Sequence, residues 1–150
     1  MPLKTKPKQF TYRTHLQWVD RGQKRGVVNT EQAEQLEVAP PVEFKGPGGV
    51  WTPETLFVAA LESCLMTTFA VFAERMELDV VSYTSESEGV VEAVDAHFAF
   101  TRFTVKPRIR VRGEPDETRV RAAVEQAKRN CFVSQSIRAD VTLTPQIEIL

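Results

Sequence analysis

Histidine and cysteine are scarce in this chain, with two of each among 150 residues. Scattered as His15, Cys64, His97 and Cys131, they make no metal-ligand spacing, and neither a metal nor any other cofactor is expected. An apolar leader of the export type is missing, and so few cysteines disfavour a disulfide-stapled secreted scaffold. The expected compartment is the cytoplasm, and the cysteines are left with packing or redox chemistry. An excess of one charge is also missing. Lys and Arg number 19 against 20 Asp and Glu, a net charge of -1, so no global field draws the chain to nucleic acid or anionic lipid. The most basic stretch, Lys4-Thr5-Lys6-Pro7-Lys8, reads as a solvated, mobile end within residues 1–9. No unbroken run reaches the roughly 18 apolar residues of a membrane helix. Internal repeats and low-complexity tracts are absent. The Gly46 to Trp51 loop lacks the lysine and the Ser/Thr that a phosphate-binding loop needs.

What is present suits one domain over residues 1–150, long enough to bury its own core. Phe10, Tyr12, Leu16 and Trp18 fall on alternate positions, apart from Thr14, as in a half-buried strand. The polar Asp20 to Gly26 segment then turns the chain into Val27-Val28, a hairpin. The Glu31 to Phe44 section gives no clear pattern. Thr52-Pro53-Glu54 is a helix start, with a hydroxyl cap, proline at the first helical position and a first-turn carboxylate. From Leu56 to Phe72 this helix is apolar almost all round, with Glu62 its only charge. Such a helix is buried in a core or between subunits, and a chain of this size has little material to surround it, so a dimer is expected. Val80–Val94 and His97–Val111 read as a long antiparallel hairpin turning near Asp95, with Phe103, Val105, Ile109 and Val111 on one parity. Glu114-Pro115-Asp116 opens a second, amphipathic helix to about Arg129, and Val141 to Ile149 alternates as a closing strand. The order implies an α+β fold with antiparallel sheet.

Cys64 stands in the middle of the apolar helix, where a thiol often serves as a small core hydrophobe. Desolvation there raises its pKa, and a mid-helix site gains little from the helix dipole. Reactivity needs a cation beside it, and the Asp20 to Gly26 turn offers Arg21 and Arg25, although turn arginines commonly just face solvent. Cys131, taken alone, is equally unremarkable. His15 and His97 read as strand-face residues rather than catalysts.

Two motifs change this balance. Gly48-Gly49-Val50-Trp51-Thr52-Pro53-Glu54, followed by the small-residue run Ala59-Ala60-Leu61-Glu62-Ser63-Cys64, resembles the osmotically inducible protein C and organic hydroperoxide resistance (OsmC/Ohr) family. The resemblance lies in a glycine-rich loop, a Pro-Glu helix start and the interval from Glu54 to Cys64. Cys131-Phe132-Val133-Ser134-Gln135-Ser136-Ile137 is similar to that family's Cys-Pro-Val-Ser signature, with Phe132 in the place of proline. The order of elements agrees after residue 9.

The resemblance implies an OsmC-like fold, with antiparallel sheets around a long buried central helix in an intertwined homodimer. It further implies a stress-related peroxidase in which Cys64 attacks an organic hydroperoxide and becomes a sulfenic acid, with Cys131 closing a disulfide on it. An external dithiol would restore the thiols. Arg25, preceding Gly26, matches the activating arginine of the family better than Arg21, which stays as the alternative. Glu54 matches the carboxylate that positions this arginine. Ten helical residues span about 15 Å, so Glu54 is expected to serve the Cys64 of the other subunit, although a first-turn carboxylate also stabilises a helix start. Helix spacing suggests an apolar pocket at Cys64 formed partly by Phe57, Phe69 or Phe72. A different class of function, a dimeric binding or stress-related module with structural or redox-sensing thiols, is the alternative.

Overall fold

The structure, a computed structural model, describes residues 8–113 and 116–150. The Lys4 to Lys8 stretch, apart from Lys8, lies outside the described residues, as do Glu114 and Pro115 of the expected second helix start. The chain divides into two compact units, Met1–Pro53 and Glu54–Leu150.

In the first unit β1 (His15–Asp20), β2 (Arg25–Thr30) and β3 (Ala33–Val38) form an antiparallel meander in that order. The polar turn between β1 and β2 forms as expected: Gln23 N–H donates to Asp20 Oδ1 at 3.1 Å, and Lys24 adopts a left-handed φ of 53°. The strand starts later than its alternation suggests. Phe10 and Tyr12 precede it, and Leu16 and Trp18 are 62% and 57% exposed. Alternation marks a two-faced strand and does not tell whether anything covers the apolar face. The illegible Glu31 to Phe44 section contains β3 and a 3-10 turn at Val42–Phe44. After it the chain folds back so tightly that a Cβ on Gly46 would stand 1.6 Å from the Pro40 carbonyl oxygen, which only glycine avoids.

The second unit starts with α1 (Pro53–Arg75), beginning at the residue its capping signature marks. β4 (Asp79–Val94) and β5 (His97–Arg112) follow as the long antiparallel hairpin, with Asp95 at a left-handed φ of 54° in its turn. On β5 the alternating Phe103, Val105, Pro107, Ile109 and Val111 are fully buried. α2 (Glu117–Asn130) is capped by Asp116, whose side chain accepts from Arg119 N–H at 2.9 Å, and it buries Val120, Ala123, Val124 and Ala127. A five-residue α3 (Phe132–Ser136) leads to β6 (Asp140–Leu143) and β7 (Gln146–Ile149). The expected single closing strand is thus two, interrupted at Thr144 and Pro145, and both pair with β5 in parallel, so this sheet is mixed. The break has a physical counterpart. β6 pairs with β5 up to Val105 and β7 resumes at Arg108, so Pro107, which has no N–H to give, lies opposite the gap.

Burial on α1 is a stripe at every fourth residue, Leu61, Leu65, Phe69 and Ala73, rather than all round. Phe57, Met66 and Val71 stay exposed within the single chain. By length and composition α1 is also apolar enough to cross a membrane, which a search for an unbroken apolar run passes over. A core helix meets the same criterion, and the buried stripe on α1 is that of a core helix. Its approach to the hairpin is set by Gly89 of β4: a Cβ there would stand 2.8 Å from Val58 Cγ2 and 2.9 Å from the Phe100 and Phe103 rings. Gly89→Ala is therefore expected to cost about 1–3 kcal/mol by overpacking. Urea unfolding checks this, and an unchanged midpoint would show that α1 does not pack this closely.

Candidate functional site

Cys64 lies halfway along α1, half-buried, and belongs to one of the unit's two apolar clusters. There it meets Leu61, Leu65, Phe103, Val105 and the fully buried Cys131. Cys131 is held at the junction of two helices. Its N–H closes α2 by donating to Ala127 O at 2.8 Å, and its Sγ caps α3 by accepting from Ser134 N–H at 3.4 Å. Ser134 Oγ reaches Lys128 O at 2.8 Å and Cys131 O at 3.1 Å and so fastens the same junction.

The two thiols pack in the same cluster, and their ionisations move in opposite directions. Burial pushes Cys64 up, yet donation from the Cys131 thiol, the Val133 and Phe132 amides and the Thr68 hydroxyl brings it below the ordinary cysteine value. Burial pushes Cys131 up, and giving its proton to the Cys64 sulfur pushes it further. The pair is thus unequal, with Cys64 the more acidic thiol and Cys131 the less acidic. Thr68 contributes least securely to this arrangement. Its hydroxyl has a single proton, already directed at Cys64 O at 2.7 Å, where Thr67 Oγ1 also donates at 3.1 Å. Hydrogen bonding thus outweighs the desolvation expected from the helix position.

Of the four expected site residues, the structure brings Cys64 and Cys131 together. Glu54 begins the same helix about 15 Å away along its axis, and its Oε2 is enclosed without a hydrogen-bond partner among the described residues. Arg25 opens β2 in the first unit, half-buried, and its Nε likewise lacks a hydrogen-bond partner among the described residues. Arg21 lies over the Trp18 ring at 5.2 Å and is exposed. The pocket expected from helix spacing needs correction. Phe69 and Phe72 belong to the other cluster, with Ile109, Val111 and α2. Only Phe57 reaches the Cys64 cluster, edge-on to Phe103 with ring centroids 5.5 Å apart. The helix's one mid-length charge, Glu62, turns to β4, where Ser85 Oγ donates to it. Burial, with that carboxylate nearby, raises Tyr83 to about 12. Sequence reasoning named Ser134 only as part of the Cys131 motif and missed Thr68, whose hydroxyl one helical turn after Cys64 was a legible signal.

Residues 46–146 match the family model of OsmC-like protein. The chain is 28% identical over 126 residues to the peroxiredoxin OsmC of Escherichia coli, covering 83% of this chain and 87% of that one. It is 26% identical over 124 residues to the uncharacterized protein YmaD of Bacillus subtilis, covering 79% and 83%. An OsmC-like protein of unknown function from Vibrio cholerae has the same fold, with a TM-score of 0.82 at 19% identity, covering 91% of this chain and 99% of that one.

Because Cys131 contributes to lowering Cys64, the reactivity of Cys64 is expected to depend on it. Below the ionisation range of Cys64, Cys131→Ala is expected to slow its alkylation by roughly threefold to tenfold, and Cys131→Ser, which keeps a donor, by less. An alkylation rate unchanged in Cys131→Ala would remove the pairing. Reactivity is the better readout than stability. A depressed Cys64 adds stability that is present above its unfolded ionisation and lost as pH falls, whereas a raised Cys131 loses stability as pH rises, so the two oppose each other.

Proposed function

Because the chain belongs to the OsmC-like protein family, we propose that it is a cysteine-based peroxidase for organic hydroperoxides. The observation that carries this reading is the packing of Cys64 against Cys131 in one apolar cluster, with Cys64 held below and Cys131 above the ordinary cysteine value. The Cys64 thiolate attacks the distal oxygen of ROOH. The O–O bond breaks, RO⁻ takes a proton and leaves as ROH, and Cys64 becomes a sulfenic acid. Cys131 then attacks that sulfur, its thiol proton leaves with the hydroxyl as water, and a Cys64–Cys131 disulfide remains. The two cysteines already pack in one cluster, and the disulfide requires their sulfurs to close to about 2.05 Å. An external dithiol supplies the two electrons that restore both thiols.

The rest of the site is assigned to an intertwined homodimer in the cytoplasm. The exposed apolar residues Phe57, Met66 and Val71 of α1 support a partner. Arg25 is the cation for the thiolate, and Glu54 of the partner subunit orients it. The enclosed Arg25 Nε and Glu54 Oε2 support this, each lacking a hydrogen-bond partner among the described residues of one chain. Arg21, engaged by Trp18, is the weaker candidate.

One equivalent of cumene hydroperoxide is expected to convert the protein to the Cys64–Cys131 disulfide, read by peptide mapping. Two unreacted thiols in folded protein would reject the peroxidase and favour a binding or stress-related module. Cys64→Ser is expected to abolish peroxide consumption. Arg25→Ala is expected to lower it on the order of a hundredfold, and the same loss in Arg21→Ala alone would transfer the role.

A further inference from the structure

Cys131 leaves α2 in an extended conformation, φ -70° and ψ 117°, so the Lys128 carbonyl in the last turn is denied the amide that a further turn would bring. A side chain of α3 takes that place: Ser134 Oγ donates to Lys128 O at 2.8 Å, with Gln135 Nε2 also there at 3.4 Å. The same hydroxyl stands 3.1 Å from Cys131 O, which shares its one proton, and Ser134 N–H donates to Cys131 Sγ at 3.4 Å. Ser134 thus touches the end of α2, the carbonyl of Cys131 and its sulfur at once. We propose that Ser134 is a positioning residue for Cys131, its hydroxyl holding the corner between α2 and α3 so that the Cys131 sulfur stays presented to Cys64.

Two thiols close a disulfide more readily the less freedom they have left to lose. Cys131 has little: its N–H is held by Ala127 O at 2.8 Å, its carbonyl accepts Gln135 N–H at 3.1 Å, and it is fully buried in the cluster of Leu61, Leu65, Phe103 and Val105. The five residues of α3 are too few to fix this corner by their own ladder, and the Ser134 hydroxyl ties them back to α2. The hydroxyl and a disulfide at Cys131 order the same corner, so each is stronger when the other is in place. Removing the hydroxyl therefore weakens the disulfide. A role confined to α3 would instead lower the stability of the dithiol and disulfide forms alike and leave the balance between them unmoved. Ser136 provides the comparison, since its hydroxyl is spent inside α3 on Phe132 O at 2.7 Å.

The inference rests on the peroxidase reading for the use of the disulfide, but its test needs no peroxide. In a glutathione buffer the two thiols give two electrons and two protons to glutathione disulfide, leaving the Cys64–Cys131 disulfide and two molecules of glutathione. Ser134→Ala is expected to lower the equilibrium constant of this exchange roughly threefold to tenfold, the worth of one neutral hydrogen bond. At tenfold this is a rise of about 30 mV in the potential of the pair. Ser134→Thr, which keeps the hydroxyl, should restore the wild-type constant, and Ser136→Ala should not move it. In the unaltered protein, the Gln135 amide at the same corner should exchange with deuterium more slowly in the disulfide form than in the dithiol form. A wild-type constant in folded Ser134→Ala, an equal fall in Ser136→Ala, or faster Gln135 exchange in the disulfide form would overturn the inference. If the expected results hold while cumene hydroperoxide leaves both thiols untouched, the positioning stands and the peroxidase reading falls.

Discussion

The meeting of Cys64 with the fully buried Cys131 in one apolar cluster is the constraint on which the proposed chemistry depends. Two thiols in one apolar cluster would both be pushed towards the neutral, unreactive form by desolvation alone. Opposite shifts break the symmetry between them. Cys131 is fully buried and its Sγ accepts from Ser134 N–H, while at Cys64 hydrogen bonding outweighs burial.

The fold serves this by bringing together three segments far apart in sequence. Gly89 lets α1 lie close on the β4–β5 hairpin, and the buried stripe Leu61 and Leu65 sets the rotation at which Cys64 meets the end of α2. The parallel return of β6 and β7 onto β5 requires a crossover, and α2 with α3 is that crossover. Cys131 is at its corner, capping both helices, so the sulfur that would resolve a sulfenic acid is also structural. Oxidation would take the capping sulfur of α3 into a covalent bond, which links the redox state of the pair to the first turn of that helix.

Much of this was legible because local rules act within a few residues. Thr52-Pro53-Glu54 marks the start of α1, the parity of Phe103 to Val111 marks the covered face of β5, and the spacing of Val120, Val124 and Ala127 marks that of α2. What was not legible depends on partners distant in sequence. The break at Pro145 answers to Pro107 on a neighbouring strand, so alternation from Val141 to Ile149 runs through it unmarked. The exposed Leu16 and Trp18 show the same limit, since alternation names a face without naming what covers it. At the site, the resemblance of two motifs pointed to both cysteines. Their unequal ionisation rests on which sulfur keeps a proton and on amides that belong to no side chain, and neither is written in residue types.

The pairing is tested most directly by asking which sulfur is oxidised first. After one equivalent of hydroperoxide in the presence of a sulfenic acid trap, peptide mapping should place the trapped adduct on Cys64, with Cys131 free or in the disulfide. An adduct on Cys131 with Cys64 unmodified would contradict the assignment of Cys64 as the thiolate.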